Sequence, residues 1–535
     1  MAEPAARRPN FILFITDQQR ADHLGCYGSP IPTPHIDSIA ERGTRFSRFY
    51  VATPICMPNR ATLMTGRMPS LHGSRHNGIP LSLSATTFVD ILAAAGWKTA
   101  LIGKCHLQSM SPRKPTLGMP EIDPALVLPP EELREADRTI LGHGRYDQEL
   151  RPRWLTGSRE ELDLPYYGFR HVDLCVGHGD KVVGHYARWR EERRPGADNL
   201  VGPENQLPGN TYACPQAWRT AVPEDLYPTH YVAEKTCDYL EAHARAGGRE
   251  PFFIQCSFPD PHHPFTPPGR YWDMFDPADM KLPASFGQPP ASTPAHVRAI
   301  HAGRDAGKQN RDGQRVIAIT EREAREAQAL ARGMLANIDD RVGMVLAKLR
   351  ALGLDRDTVV IFTADHADFM GDHQLLLKGA LHYQGLVRVP FIWCDPATPG
   401  DGAIRDDLSG TLDIAATVLA RAGLAAHNGI QGRDVMAGAD PGRALVIEEH
   451  QRYGYMGFNH GFRVRTLMTR RWRMSLYDDG RAFGELYDLE NDPDELVNRY
   501  EEAASAKLRA ELTEELARRM IRLADTSPLA THHGP

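Results

Sequence analysis

The sequence predicts an α/β protein with a smaller C-terminal unit of strands and a helix. Three observations carry this. Compact apolar runs alternate with stretches of helical periodicity, polar residues stand just past the ends of three of the runs, and near Asp440 the pattern shifts to closely spaced short strands.

In chain order, Phe11 to Thr16 reads as a buried strand ending at Asp17. Pro58 suits a first helical turn, Ala61 to Thr65 continue the helix, and Gly66 stops it, with Cys56 just outside the start. Thr87 to Ala95 is a helical stretch, and Thr99 to Ile102 a short strand ending at Gly103 and Lys104. Phe252 to Phe258 is strand-like. Leu330, Met334, Leu335, Ile338, Val342, Val345, Leu346 and Leu349 share one face of a long helix, and Thr358 to Thr363 is a strand that leads to Asp365. Ligands of open α/β sheets bind outside the carboxyl ends of strands, so Asp17, Lys104 and Asp365 are expected at one shared site.

Two segments, 109–228 and 283–315, lack this rhythm and read as insertions that shape a pocket. They belong to a catalytic domain over 1–440. A small subdomain over 441–535 holds strands at Ala444 to Glu449, Phe462 to Thr469 and Trp472 to Tyr477. A turn at Asp488 to Pro493 follows, then a helix with Leu508, Leu512, Leu516 and Met520 on one face.

With 535 residues the chain exceeds the ~250 to 300 at which single cores stop growing, which favours one large domain plus a smaller one. A hydrophobic content of 41%, a charged content of 24% and a net charge of −6 suit a globular enzyme and exclude a general attraction to nucleic acid. The apolar run after Arg7 and Arg8 ends at Ile15, too short for a signal-peptide core or a membrane span. Eight cysteines without CxxC spacing do not suggest a disulfide scaffold, so a cytoplasmic location is expected.

The most informative stretch is Cys56-Met57-Pro58-Asn59-Arg60, followed by Thr65-Gly66-Arg67. Free N–H groups at a helix start attract negative charge, so a sulfate or phosphate is stabilised beside Cys56 while Arg60 adds a fixed cation. A Cys-x5-Arg phosphatase loop is excluded, because position 62 is Thr62. Cys-x-Pro-x-Arg with Thr-Gly-Arg resembles the signature of the type I sulfatases. That resemblance implies oxidation of Cys56 to formylglycine by a formylglycine-generating enzyme, and an alkaline-phosphatase-like mixed sheet flanked by helices with a small antiparallel C-terminal sheet and helix.

Asp17-Gln18 and Asp365-His366 supply hard oxygens and an imidazole suited to one divalent cation. Together with Cys56 they resemble the family's metal site, with Gln18 where an Asp-Asp pair has its second carboxylate. This departure is similar to the choline-sulfatase and phosphonate monoester hydrolase branches, and leaves Ca2+, with Mn2+ as the alternative. Gly103-Lys104-Cys105-His106-Leu107 resembles the family's Gly-Lys-Trp-His-Leu, with Cys105 in place of the aromatic. Pro261-His262-His263-Pro264-Phe265 resembles Pro-His-x-Pro-Phe, which makes His262 the match and His263 a bystander. Lys378 matches the lysine that contacts sulfate, and Asn77 is a candidate donor to the anion. The resemblance covers about 9 to 107 and 250 to 500.

What it implies is a hydrolase in which a metal-activated hydroxyl of the formylglycine hydrate attacks sulfur. Arg60, Lys104 and Lys378 face the equatorial oxygens, His262 is the acid toward the leaving alcohol, and His106 helps expel sulfate. The partner is a small sulfate ester; no membrane or nucleic acid is expected, and a homo-oligomer is left open. The alternative is a phosphonate monoester or phosphodiester hydrolase with the same nucleophile, which Gln18 fits while Lys104 and His106 favour sulfate. A non-catalytic anion binder without formylglycine is opposed by the intact motifs.

Overall fold

The computed structural model describes residues 8–111, 144–155, 161–289, 292–478 and 483–524; the ends of both expected domains and much of the expected 109–228 insertion lie outside these. Among the described residues the largest sheet has nine strands. At its centre Asn10–Thr16 lies between Thr358–Ala364 and Phe252–Ser257, parallel to both. Lys98–Lys104 pairs parallel beyond Phe252–Ser257, and His171–Val176 beyond Lys98–Lys104. Phe391–Cys394 runs antiparallel on the other side, followed by Thr44–Phe46 and, at the edge, Ala403–Arg405. The sheet is therefore mixed.

Strand residues point alternately to the two faces, and both faces are covered, which explains the near-continuous apolar runs. Ile12 and Phe14 pack with Val342, Val345 and Leu349 of the long helix Glu321–Ala351. Phe11, Leu13 and Ile15 pack on the opposite face with Leu63, Met64, Phe88 and Leu92. The long helix starts at a capping box in which Thr320 accepts from the Glu323 N–H while Glu323 accepts from the Thr320 N–H. Thr87 and Asp90 do the same for Phe88–Ala94.

The 109–228 segment is not an insertion throughout. His171–Val176 and Val183–Gly184 are strands of the main sheet, which its Pro- and Arg-rich surroundings conceal. The expected 283–315 insertion contains the helix Ala295–Asp305.

The C-terminal strands Leu445–Tyr453, His460–Met468, Trp472–Tyr477 and Gly484–Asp488 form an antiparallel sheet in chain order. The last of these was not expected from sequence. Leu512 and Leu516 of the helix Ala506–Arg522 pack on Val446, Leu467, Met474 and Leu486, and burial of such a side chain contributes about 1.5 to 3 kcal/mol. Met520 departs from the expected face and is 43% exposed. Under the sheet, Arg473 donates to Glu485 at 2.9 Å and to Glu495, and His296 lies 2.9 Å from Glu485. No helix among the described residues is long and apolar enough to cross a membrane.

Candidate active site

Five adjacent parallel strands deliver the site at their carboxyl ends. Ala364 is followed by Asp365 and His366, Thr16 by Asp17 and Gln18, Ser257 by a turn carrying His262 and His263, Lys104 by His106, and Val176 by His178. Register aligns them: Thr16 is opposite Ala364, Ile15 and Gly103 are both opposite Ser257, and Lys104 is opposite Cys175. Two of these residues sit in the left-handed region, Gln18 at φ 60° and His106 at φ 58°. Such strain in non-glycine residues is concentrated at functional sites. Gly103 has φ 108°, and a Cβ there would collide with the Ser257 carbonyl, so the Gly of Gly-Lys is a packing requirement.

Cys56 opens the helix Cys56–Thr65 as its first residue rather than standing just outside it, and Gly66 ends the helix at φ 65°. Asp17, Cys56, Asp365 and His366 place one ligand atom each within 4.8 Å of one another. Cys56 Sγ is 3.0 Å from His366 Nε2, 4.0 Å from Asp17 Oδ1 and 2.9 Å from Lys378 Nζ. His366 Nε2 is 3.5 Å from Asp17 Oδ1 and 3.7 Å from Asp365 Oδ1. Burial alone would raise the Cys56 thiol, but Lys378 and His366 outweigh it and bring it down to about 7. Burial likewise opposes ionisation of Asp17, yet Lys104 and Arg60 hold its carboxyl well below the usual range.

Two carboxylates and one imidazole converging from strand ends fit a hard divalent cation. Gln18 lies beside them, its backbone N–H donating to Asp365 Oδ1 at 3.1 Å. Its amide nitrogen donates to Asp368 Oδ2 at 2.6 Å and lies 3.0 Å from His263 Nδ1, while its carbonyl oxygen faces Lys378 Nζ at 3.3 Å. His263 is thus no bystander: fully buried, it helps fix which end of Gln18 faces the site.

Arg60, expected to face the anion, turns inward. Its Nε donates to Asp365 Oδ2 at 2.7 Å, its Nη1 to the Lys104 carbonyl and to Ser257 Oγ at 3.0 Å each, and Nη2 lies 3.6 Å from Asp17 Oδ2. Lys104 pairs with Asp17 and has its Nζ 2.6 Å from His178 Nε2. Lys378 Nζ lies 3.0 Å from both His262 Nε2 and His366 Nε2. Burial, then Lys104 and Arg60, presses His106 down; burial, then His178 and Lys378, does so for His262. Asn77 accepts from the Met57 N–H at 3.1 Å, bracing the helix start. A cleft of about 1120 Å³ opens here, lined among others by Met57, Asn77, His106 and His178.

Sequence reasoning missed two residues, both in 109–228. His178 follows a strand, the signal that marked Asp17 and Asp365, and could have been found by it. Glu149 carries no such signal: its buried carboxylate accepts from the N–H groups of His106 at 2.6 Å, Leu107 at 2.9 Å and Gln108 at 3.0 Å, shaping the loop after Lys104.

A buried thiol of lowered pKa at a helix start, beside a cluster able to ligate a metal and two lysines, suits hydrolysis of esters of tetrahedral anions. Comparison with known proteins makes this specific. The sulfatase family model matches residues 9–156 and 185–424, and the model of the N-sulphoglucosamine sulphohydrolase C-terminal region matches 371–522. An arylsulfatase of Clostridium perfringens is 26% identical over 503 residues, covering 92% of this chain and 90% of its own. The sulfatase YidJ of Escherichia coli is 28% identical over 527 residues, covering 97% and 88%. The crystal structure of a phosphonate monoester hydrolase of Agrobacterium radiobacter aligns with a TM-score of 0.74 at 25% identity, over 99% of each chain. The chain belongs to the sulfatase family and is a sulfuric ester hydrolase. His178 falls in the gap between the two matched parts of the family model.

Proposed function

We propose that this protein hydrolyses sulfate monoesters to an alcohol and inorganic sulfate, with residue 56 as nucleophile after oxidation of Cys56 to formylglycine. The observation that carries this is the position of Cys56 Sγ, at a helix start within 3.0 Å of both His366 Nε2 and Lys378 Nζ and inside the carboxylate cluster. Asp17, Gln18, Asp365 and His366, with residue 56, would hold one divalent ion, Ca2+ or Mn2+, which supplies Lewis acidity toward the attacking hydroxyl and the sulfuryl oxygens. The hydrate of formylglycine supplies one hydroxyl for attack and a second whose deprotonation expels sulfate.

Lys378 and Lys104 stabilise charge that develops on the sulfuryl oxygens. Arg60 acts as a brace that holds the Asp17 and Asp365 carboxylates in place. His262 gives a proton to the leaving oxygen; the bound anion supplies the opposite charge that restores the proton its neighbours discourage. His106 accepts the proton of the second hydroxyl.

A second reading, phosphonate monoester hydrolysis, is supported by Gln18 in place of a carboxylate and by the likeness to the Agrobacterium radiobacter enzyme. Two measurements test the proposal. Active protein should carry a residue-56 peptide ~18 Da lighter than the thiol form; full activity with unmodified Cys56 would overturn the mechanism. Side-by-side kcat/KM on an aryl sulfate and an aryl phosphonate monoester with the same leaving group decides between the two esters.

A further inference from the structure

The cleft that Met57, Asn77, His106 and His178 line beside residue 56 is about 1120 Å³, far more than a sulfuryl group fills. Beyond His106 and His178 the same lining carries Arg151, Lys181 and Trp218. Lys181 follows His178 at the end of the turn Gly179–Lys181, and its ammonium sits 4.8 Å from the centre of the Trp218 indole. Trp218 is only 6% exposed and donates to Asp180 Oδ2 at 2.9 Å, an oxygen that also accepts from Thr220 Oγ1 at 2.7 Å. Arg151 Nη2 donates to the Lys181 carbonyl at 3.1 Å, so both cations are tied to one loop.

Among the described residues neither cation has a carboxylate in ion-pair contact, although the Asp180 carboxylate beside Lys181 feels its charge. Buried arginines elsewhere in the molecule have one: Arg20 pairs with Asp22 and Asp372, and Arg473 with Glu485 and Glu495. Burial holds the Arg151 guanidinium below its ordinary value, as expected of a charge removed from water without a counter-charge. Among the described residues of the lining Asp312 is the one carboxylate.

We propose that Arg151 and Lys181 form a second anion subsite, which holds a carboxylate or sulfate borne by the alcohol portion of the substrate, with Trp218 as the apolar floor between the two anions. This rests on the reading of residue 56 as the sulfuryl-transfer centre. The substrate class is then a sulfate ester of an anionic alcohol; a cationic alcohol is disfavoured by the same charges.

Calorimetric titration of the metal-loaded protein with product-like alcohols reads the subsite without turnover. The probes are 4-hydroxyphenylacetate, 3-(4-hydroxyphenyl)propionate and 4-(4-hydroxyphenyl)butanoate, their amides, and 3-(4-hydroxyphenyl)propane-1-sulfonate. At least one anion should bind on the order of tenfold or more tighter than its amide, since charge-assisted hydrogen bonds are the strong ones. Arg151→Met/Lys181→Met should erase that preference and leave amide binding unchanged. Whether carboxylate or sulfonate gains more tells which anion the site is shaped for. The sulfate esters of the same alcohols should show the preference in KM, with kcat little changed. Equal binding of anions and amides at every tether length, or equal weakening of both in the double variant, would overturn the subsite. Anion-selective binding without turnover of any ester would instead fault the sulfatase reading.

Discussion

The His178 imidazole lies flat against that of His262, with ring centroids 3.6 Å apart and planes inclined by 12°. His178 Nε2 is 2.6 Å from Lys104 Nζ, and His262 Nε2 is 3.0 Å from Lys378 Nζ. The two lysines are therefore joined through a stacked pair of rings. The neighbouring ammonium groups add to burial in keeping both imidazoles below their usual range.

If His262 protonates the leaving group, His262→Ala should slow an ester with a poor leaving group by roughly 10² to 10⁴ and an activated nitrophenyl sulfate by less. Lys104→Ala should harm both to a similar extent, because the charge it stabilises develops on the sulfuryl oxygens whichever alcohol departs. The check is kcat/KM over a series of leaving-group pKa values. A slope unchanged in His262→Ala would move the acid to another residue, with His178 the first to try.

Asp365→Ala should remove stoichiometric metal and lower turnover by about 10³ or more, as the loss of several kcal/mol of Lewis-acid stabilisation requires. Metal content by mass spectrometry and kcat with and without chelator measure this together. Retention of both in the variant would show that the acidic cluster is not the metal site.

Arg60→Ala should behave as a stability and metal-binding variant. Removing the partner of buried carboxylates typically costs about 3 to 5 kcal/mol, so a clear drop in Tm and weakened metal uptake are expected. Thermal unfolding and metal titration report both. Unchanged Tm and metal uptake, with only KM raised, would return Arg60 to the anion-binding role read from its sequence.

Strand ends were legible because the signal is local: an apolar run followed by Asp17, by Lys104 or by Asp365. The helix start at Cys56 was legible for the same reason, through Pro58 and Gly66. His178 was not, since its place depends on Lys104 pairing opposite Cys175 across residues whose composition reads as loop. Nor was the direction of Arg60. A motif fixes spacing along a helix, whereas which carboxylate the guanidinium meets is set by the docking of Cys56–Thr65 on the sheet.

Acid stability has its own marker in Glu485. Burial opposes its ionisation, but Arg473 and His296 outweigh this and hold its carboxyl below the ordinary range. A folded-state value below the unfolded one, about 4.3, stabilises at pH above the unfolded value, and the gain is lost as pH falls through the folded value. The Tm difference between wild type and Glu485→Gln should therefore be large at pH 7 and shrink toward pH 3.5. A difference that does not change with pH would refute the assignment.

All ten residues of the helix Cys56–Thr65 are buried, and Cys56 is 1% exposed. A side chain this buried is out of reach of another enzyme's active site in the folded protein. If residue 56 is oxidised as proposed, that step falls before the chain closes over it, and a copy that folds first keeps its thiol.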